Sequence, residues 1–456
     1  MTGTTIAAIS TPQAEGGIAV IRISGDKALE IADKVFCTAS GRLPSEMKGY
    51  TCAYGHAVKD GEVIDEGVLT VFRAPKSYTG EDVVEISCHG GIYVSRRTLR
   101  AVIESGAVPA QAGEFTKRAF EFGKISLIEA EAVMDIISAD SERELRFARS
   151  LQDGAVYRRI RKIIDKIVEV LGALAAWADY PEDDIPEVEP MTLRKNLTEI
   201  CSDLVKTINT GDYGRIIKEG VSAVIIGRPN VGKSTLFNLL NGCERSIVTD
   251  IAGTTRDVVE ESIRLGDITL RLWDTAGLRE TDDVIEKIGV NIAKERLERA
   301  DLVLAVFDGT EPLHQEDHEL LMKLKGKRTI AVINKIDKTS ESTLKDNMFG
   351  QFERCIGMSA KEGTGLEDLR EAIEEMFYNG EVTPEMGILS NERQLECARA
   401  AERSVSLALE ALEAGENLDA VTVLLDEAAE ELMNLTGERV SEKVVEDVFS
   451  RFCVGK

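Results

Sequence analysis

Histidine is scarce in this chain of 456 residues, which has four histidines, and none of its eight cysteines forms a C-x-x-C pair. A metal site built on cysteine and histidine is therefore not expected, and scattered thiols favour a reduced, cytoplasmic protein. An apolar run of about 18 residues is also missing, which excludes a membrane-spanning helix. Residues 1–10 lack the basic stretch of a signal peptide.

Positive charge is in deficit, because 55 Lys and Arg against 80 Asp and Glu leave a net charge of −25. This balance argues against non-specific binding of nucleic acid over the whole surface. It does not exclude a local basic patch, and residues 143–162 are one candidate.

The length predicts two to four domains. Short strands at 18–24 and 83–89, broken by glycine and proline, predict an α+β segment. Residues 127–178 contain two glycines and no proline and have a helical apolar period. Short apolar strands alternate with helices over residues 221–377, and the chain is helical again over residues 392–452.

The predicted fold class is multidomain, α/β and α, with the α/β domain inserted into a helical domain. The boundaries that we predict are residues 1–118 for the N-terminal α+β domain, 119–216 and 380–456 for the two parts of the helical domain, and 217–379 for the inserted domain.

A complete G-x-x-x-x-G-K-S motif, GRPNVGKS, occupies residues 227–234 between a predicted strand and a predicted helix. Its glycines let backbone N–H groups turn towards phosphate oxygens. We expect Lys233 to supply charge to the β- and γ-phosphates and the Ser234 hydroxyl to bind Mg²⁺. The inserted domain is therefore predicted to be a Ras-like P-loop domain.

Later motifs predict that the nucleotide is GTP. In DTAG (residues 274–277) the aspartate is placed to hold Mg²⁺ through water. In NKID (residues 334–337) Asp337 is placed to accept two hydrogen bonds from guanine, which adenine lacks, and such mismatches discriminate by about 10⁴–10⁵. SAK (residues 359–361) would back the base. Each motif alone is also typical of an ordinary strand-end turn, so their order carries the prediction.

Residues 249–257, TDIAGTTRD, lie where the switch I segment is expected. Thr255 is the predicted threonine that binds Mg²⁺ when the γ-phosphate is present, and Thr254 is the near alternative. The predicted GTP-binding residues are Asn230, Val231, Gly232, Lys233, Ser234, Thr235, Thr249, Asp250, Ile251, Ala252, Gly253, Thr254, Thr255, Asp274, Thr275, Ala276, Gly277, Asn334, Lys335, Asp337, Ser359, Ala360 and Lys361.

Residue 278 is leucine, so the water-orienting glutamine of Ras is missing. Glu286 is the candidate catalytic residue, and a solvated helix charge is the alternative. The Asn230 amide would help to bind a monovalent cation between the β- and γ-phosphates, where negative charge builds up in the transition state. A loop-shaping asparagine is the alternative. The cation hypothesis predicts faster hydrolysis in potassium than in sodium.

These motifs resemble those of the tRNA-modification GTPase family MnmE, also called TrmE, over the full length of the chain. The segments that carry the resemblance are GRPNVGKS at 227–234, GTTRD at 253–257, DTAGLR at 274–279, FCVGK at 452–456, GIAVIRISG at 17–25, YTGED at 78–82 and GEFT at 113–116.

The resemblance implies potassium-activated GTP hydrolysis coupled to tRNA modification. The family works with MnmG, a partner that uses FAD and NADH, to build an aminomethyl-type group, such as carboxymethylaminomethyl, at C5 of the wobble uridine (position 34). The one-carbon unit comes from 5-formyltetrahydrofolate or a related folate bound by the N-terminal domain. That domain also forms a homodimer, which with MnmG gives a heterotetramer or larger assembly.

The resemblance also implies residue roles. The residues that match potassium ligands are Asn230, Thr249, Ile251 and Thr254, those that match Mg²⁺ ligands are Ser234 and Thr255, and Glu286 matches the catalytic glutamate. The residues that match folate contacts are Arg22, Glu81, Lys124 and Lys456. Without the family, Arg22, Glu81 and Lys124 are interpreted as surface charges. Cys453 is placed beside the one-carbon chemistry.

Three alternatives stay open. A ribosome-assembly GTPase has a similar GTP domain, but the acidic helical C-terminal segment disfavours it. The others are a scaffold in which GTP only gates dimer geometry and a folate enzyme in which GTP is regulatory. Because the chain is acidic, we expect a basic helical surface or the partner to supply much of the tRNA affinity.

Overall fold

The computed structural model describes residues 3–179, 189–243, 260–273, 297, 300–338, 354–377 and 386–456. The chain divides into two compact units: unit 1 contains residues 1–134, 152–196 and 403–456, and unit 2 contains residues 135–151 and 197–402. Each unit therefore combines segments that are distant in sequence. The finer division into four segments stays a prediction.

Unit 1 begins with a seven-stranded sheet of order β3-β4-β5-β6-β2-β1-β7, in which only the β1–β7 pair is parallel. The strands are β1 (Ile6–Ile9), β2 (Ile18–Ser24), β3 (Phe36–Thr38), β4 (Thr51–Lys59), β5 (Glu62–Phe72), β6 (Val83–His89) and β7 (Val108–Pro109). Helices α1 (Ala28–Val35) and α2 (Ile92–Glu104) pack against this sheet. The two strands predicted at 18–24 and 83–89 are confirmed.

Alternation along β2 and β6 separates a buried face of the sheet from a more accessible one. Ile21 and Ile23 of β2 and Ile86 of β6 are fully buried in the core beneath α1 and α2. Because successive strand residues point to opposite faces, Arg22 and Glu85 lie on the other face, directly opposite each other in the register. That face therefore carries charged side chains in the middle of the sheet.

Helices form the rest of unit 1. They are α3 (Glu114–Glu121), most of α4 (Leu127–Ser138), α6 (Ala155–Asp179), α13 (Leu418–Thr436) and α14 (Glu442–Ser450), while α7 (Pro190–Asn209) and α12 (Glu392–Ala414) have residues in both units. The stripe of Ile160, Ile163, Ile164 and Ile167 on α6 is buried, as the helical period predicts, and α6 packs against α13.

The C-terminal segment returns to the N-terminal sheet. Val454 forms an antiparallel bridge with Ala112. The Phe115 N–H donates to the Lys456 carbonyl at 3.2 Å, and the Ser10 hydroxyl donates to the Gly455 carbonyl at 3.1 Å. The backbone of the C-V-G-K tail is thus held against the start of the chain.

Unit 2 contains a six-stranded sheet of order β13-β12-β11-β8-β10-β9, parallel except for the antiparallel β9–β10 pair. Its strands are β8 (Val221–Ile226), β9 (Glu260–Leu265), β10 (Ile268–Trp273), β11 (Leu302–Asp308), β12 (Thr329–Asn334) and β13 (Cys355–Gly357). Its helices are α5 (Glu142–Gln152), α8 (Gly211–Glu219), α9 (Lys233–Asn241), α10 (Gln315–Leu324) and α11 (Leu366–Phe377).

Apolar clusters cover both faces of the central strands of this sheet. All seven residues of β11 are buried, which explains why its first six residues form a continuous apolar run rather than an alternating one. The parallel strands direct their carboxyl ends to one edge, where ligands bind in such sheets. None of the helices in the described ranges is long and apolar enough to span a membrane.

Candidate functional site

The phosphate-binding motif lies between the end of β8 and the start of α9. Gly227 and Gly232 have φ angles of 152° and 101°, and Asn230 has a φ of 64°. A Cβ atom on Gly232 would lie 2.1 Å from Asn334 Nδ2, and one on Gly227 would lie 2.3 Å from the Val306 carbonyl oxygen. Both positions therefore require glycine, and the loop has the tight backbone of a phosphate cradle.

Lys233 is the first residue of α9 and folds back over this loop. Its Nζ donates to the carbonyls of Gly227 and Arg228 at 2.8 and 2.7 Å. Burial lowers the pKa of Lys233. Because a helix N-terminus also favours anions, the ammonium group and the start of α9 together form a site suited to phosphate, with Ser234 next to it as the candidate Mg²⁺ ligand.

The N-K-I-D motif begins at the end of β12 and is bonded to the phosphate loop. Asn334 Nδ2 donates to the Val231 carbonyl at 2.8 Å, and its Oδ1 accepts from the Ala360 N–H at 2.9 Å. The Asp337 Oδ1 accepts from the Ser359 hydroxyl at 2.7 Å. One amide therefore ties the phosphate loop, the base-recognition motif and the S-A-K motif into one arrangement.

Lys335 connects the same segments. It has a φ of 67°, and its Nζ donates to the Asn230 carbonyl at 2.9 Å and to Asp308 Oδ2 at 2.6 Å. Burial raises the pKa of Asp308, but hydrogen bonds from Lys335 and Thr310 outweigh it and hold that pKa below its usual value. Sequence reasoning missed Asp308, although its position at the end of an apolar strand was a usable signal.

A second supporting pair, also missed, holds the phosphate loop from outside. Arg228 Nε donates to Asp317 Oδ1 at 2.8 Å. The Asp317 side chain is 2% exposed and also accepts from the His314 N–H at the start of α10. The second residue of the G-x-x-x-x-G-K-S motif thus anchors the loop to a neighbouring helix.

Part of the predicted site falls outside the described residues. This part contains the switch I residues 249–257, the residues 274–277 and the candidate catalytic Glu286. The predicted potassium ligands Thr249, Ile251 and Thr254 and the predicted Mg²⁺ ligand Thr255 belong to it.

Arg22, Glu81 and Lys124, all predicted to bind folate, contact or belong to the segment 77–81. Arg22 Nε pairs with Glu85 Oε1 at 2.8 Å, and its guanidinium lies 5.5 Å from the centre of the Tyr78 ring and 5.6 Å from that of Phe115. Burial and the charge of Arg22 lower the pKa of Lys456, and Glu85 and Cys453 oppose this shift. Arg22, Glu85 and Lys456, with Cys453 beside them, therefore share one electrostatic environment, which we call the tail pocket.

Glu81 and Lys124 have other partners. The Glu81 side chain is 8% exposed, accepts from Arg118 Nη1 at 3.0 and 3.1 Å, and accepts from the Ser24 hydroxyl at 2.7 Å. Lys124 Nζ donates to the carbonyls of Pro75 and Ser77. Glu81 is thus a buried ion-pair member, and its role in folate binding stays a prediction. Glu85, the carboxylate of the tail pocket, was not predicted from the sequence.

A glycine-rich loop between a parallel strand and a helix, tied to N-K-I-D and S-A-K at neighbouring strand ends, defines the chain as a P-loop GTPase. Two family models match it, the MnmE helical domain over residues 127–453 and the N-terminus of GTP-binding protein TrmE over residues 5–124. The chain belongs to the MnmE family of tRNA modification GTPases, so the resemblance found in its motifs is confirmed.

Full-length relatives support this assignment. The tRNA modification GTPase MnmE of Acetivibrio thermocellus is 43% identical over 457 residues, and that of Geobacillus kaustophilus is 42% identical over 459 residues. The protein of the same name from Clostridioides difficile is 41% identical over 454 residues. Each alignment covers 99% of both chains.

Proposed function

We propose that this GTPase acts on tRNA, and that with an FAD-dependent MnmG-type partner it modifies C5 of the wobble uridine, position 34, to an aminomethyl-type group. The observation that carries the proposal is the match over 99% of both chains to proteins named tRNA modification GTPases. The geometry adds support, because unit 2 contains a GTP-type site. We propose the cytoplasm as its location.

In this proposal, the residues that surround the triphosphate hold it in place and offset its negative charge. Lys233 and the N–H groups of the phosphate loop bind the β- and γ-phosphates, and Asp337 accepts hydrogen bonds from the guanine edge. Bound Mg²⁺ and K⁺ would supply further positive charge at the phosphates. Ser234 and Thr255 would hold Mg²⁺, and the Asn230 amide with carbonyls of residues 249–254 would hold K⁺.

We expect Glu286→Ala to lower the rate of GTP hydrolysis about a hundredfold, because a general base or water-positioning group contributes about that much. GTP affinity should be retained, since Glu286 is not assigned to nucleotide binding. Mass spectrometry of wobble nucleosides from a deletion strain that carries this variant should show the modification lost.

The matched control for this variant is Asp283→Ala, which removes a neighbouring carboxylate of the same segment and should leave hydrolysis and modification intact. Modified nucleosides in the Glu286→Ala strain, with GTP still bound, would favour a scaffold in which GTP only gates geometry. Normal wobble nucleosides in the deletion strain itself would favour the alternative of a ribosome-assembly GTPase.

We expect hydrolysis to be about tenfold or more faster in potassium than in sodium at equal ionic strength, because a fitted cation offsets charge in the transition state. Asn230→Gly should remove this difference. Glycine tolerates the φ of 64° at this position, and the Asn230 carbonyl bond to Lys335 uses the backbone. Equal initial rates of phosphate release by the wild-type protein in both salts would exclude the potassium site.

We propose that the tail pocket binds a reduced folate such as 5-formyltetrahydrofolate. Arg22 and Lys456 would pair with the glutamyl carboxylates. Lys124, whose ammonium group has a third N–H beyond its two carbonyl bonds, would act beside them. The Glu81 carboxylate would accept hydrogen bonds from the amino edge of the pterin, and Glu85 would hold Arg22 in place. Cys453 would lie beside the one-carbon unit.

Glu81→Gln is expected to weaken 5-formyltetrahydrofolate binding about tenfold, measured by titration calorimetry, because a charged acceptor is lost. It also leaves Arg118 buried without its charge partner, and breaking such a pair typically costs about 3–5 kcal/mol of stability, so the affinity is measured on protein that melting curves show to be folded. Glu85→Gln, which removes the carboxylate paired with Arg22, provides the contrast and should change the folate affinity less. The opposite pattern would assign the pterin contact to Glu85.

We also propose a homodimer formed through the accessible face of the N-terminal sheet. Large apolar side chains on this face are exposed, namely Ile18 (67%), Tyr54 (53%) and Val68 (38%). The strand registers place them on the same face as Arg22 and Glu85. A second copy of this face would cover the apolar side chains and lie next to the tail pocket.

A further inference from the structure

One helix of this acidic chain has a concentration of positive charge. Residues 155–166, in the first half of α6, contain five Arg and Lys residues and one carboxylate, whereas the whole chain has a net charge of −25. Arg158, Lys162 and Lys166 are exposed and follow one another at intervals of four residues. With a rise of about 1.5 Å per residue, they form a row about 12 Å long on one side of the helix.

Two carboxylates near this row pair with Arg161, and a third, Glu169, is exposed on the same side of the helix. Asp165 Oδ1 accepts from Arg161 Nε at 3.1 Å, and Arg161 Nη1 donates to Glu438 Oε2 at 2.6 Å. The Tyr157 hydroxyl also bonds Glu438, at 3.1 Å. Arg161 therefore offsets one of these two negative charges. The five cations of residues 155–166 still exceed Asp165, Glu169 and Glu438 by two, so the row keeps a net positive charge.

The opposite side of α6 is fixed in the core, because the isoleucines at 160, 163, 164 and 167 are buried. The charged row is thus presented on a packed helix and does not depend on a loop. Trp177 lies eleven residues after Lys166, or about three helical turns, and so faces the same side. It is 37% exposed.

We propose that this row, which we call the α6 cation row, is a contact surface for the phosphate backbone of the tRNA substrate. The inference rests on the proposed tRNA function and adds the surface that would bind the RNA. Regularly spaced cations neutralise the phosphates of a polyanion. Trp177, in line with the cations, offers an aromatic surface on which an unpaired base stacks, which favours RNA over an acidic protein as the partner.

The test measures binding of full-length protein to fluorescein-labelled bacterial tRNA over a series of KCl concentrations. The triple variant Arg158→Gln/Lys162→Gln/Lys166→Gln should bind about tenfold or more weakly at low salt. The slope of log K against log salt should fall by about 2 to 3, close to one for each phosphate contact removed. GTP hydrolysis without tRNA should be unchanged, which shows that the variant is folded.

Helix α2 provides a matched control with the same loss of charge. In Arg96→Gln/Arg97→Gln/Arg100→Gln, Arg97 loses its pairing with Glu62 and Arg100 its pairing with Glu104, while Arg96 bonds Gln13. Since these arginines lie outside the α6 cation row, this variant should bind tRNA nearly as well as wild type.

Equal losses in the two triple variants would mean that only net charge matters and would overturn the α6 cation row. An unchanged salt slope in the α6 variant would also overturn the α6 cation row. If that variant still modified the wobble uridine, the proposed function would remain valid without the row. A wild-type protein that fails to bind tRNA, alone and with its partner protein, would overturn both proposals. Weakened binding of an acidic peptide, with tRNA affinity unchanged, would assign the row to a protein partner instead.

Discussion

Asp337→Asn is expected to reverse the base preference of this GTPase from guanine to xanthine. Guanine presents two donors, N1–H and the 2-amino group, to the carboxylate, whereas an asparagine amide offers one acceptor and one donor. Xanthine has a carbonyl at position 2 and matches that pair. Because an unmatched buried polar group is expensive, we expect GTP affinity to fall by about 10²–10⁴ and XTP affinity to rise correspondingly.

Competition of GTP and XTP against a fluorescent nucleotide would measure this change. Ser359→Ala is a suitable comparison, because the Ser359 hydroxyl donates to Asp337 at 2.7 Å and orients it. Its loss should weaken both nucleotides modestly without changing the preference. If Asp337→Asn still preferred GTP by the wild-type ratio, the carboxylate would not be the base-reading group and the assignment of GTP would lose its basis.

Lys233→Ala should reduce GTP hydrolysis by about a thousandfold. The Lys233 ammonium group donates to two carbonyl oxygens of the phosphate loop, that of Gly227 at 2.8 Å and that of Arg228 at 2.7 Å. The loop thus holds this positive charge at the phosphate site. A preorganised donor aimed at developing charge contributes about 10²–10³ in rate, and the lysine also contributes to triphosphate binding.

Single-turnover hydrolysis at saturating protein would separate the two contributions. Lys335→Ala is the comparison, because it also removes a nearby positive charge and breaks the bonds to Asn230 and Asp308. It should weaken nucleotide binding but have a smaller effect on the rate of hydrolysis of bound GTP. A bound-state rate within a few fold of wild type in Lys233→Ala would contradict the proposed role.

The elements predicted from the sequence are those with strong local signals. β8, β11 and β12 are short apolar runs that end at recognisable motifs, so both their type and their direction towards the nucleotide follow from the chain. β9 (Glu260–Leu265) was missed because its sequence, E-E-S-I-R-L, is mostly polar, as an edge strand permits. The break between α4 and α5 was also missed, although the Ser141 hydroxyl caps the Glu144 N–H at 3.1 Å, a recognisable helix start.

The tail pocket could not be derived in the same way. Glu81 and Glu85 are two glutamates four positions apart, and nothing local distinguishes them. Their tertiary contacts differ: Glu81 pairs with Arg118 of α3, whereas Glu85 pairs with Arg22 of the neighbouring strand β2. Strand alternation places Glu85 and Arg22 on one face only when the β2–β6 register is known, and the sequence does not specify that register.

The tail bound to the N-terminal sheet has a consequence for how the molecule is made. Synthesis proceeds from the N-terminus, so the residues of the N-terminal sheet leave the ribosome first. The tail residues that bond them are encoded after the entire nucleotide domain. The Phe115 N–H and the Ser10 hydroxyl find their acceptors only when Lys456 and Gly455 arrive. A premature stop codon anywhere before the C-V-G-K segment would thus impair a pocket whose other walls were translated more than 300 codons earlier.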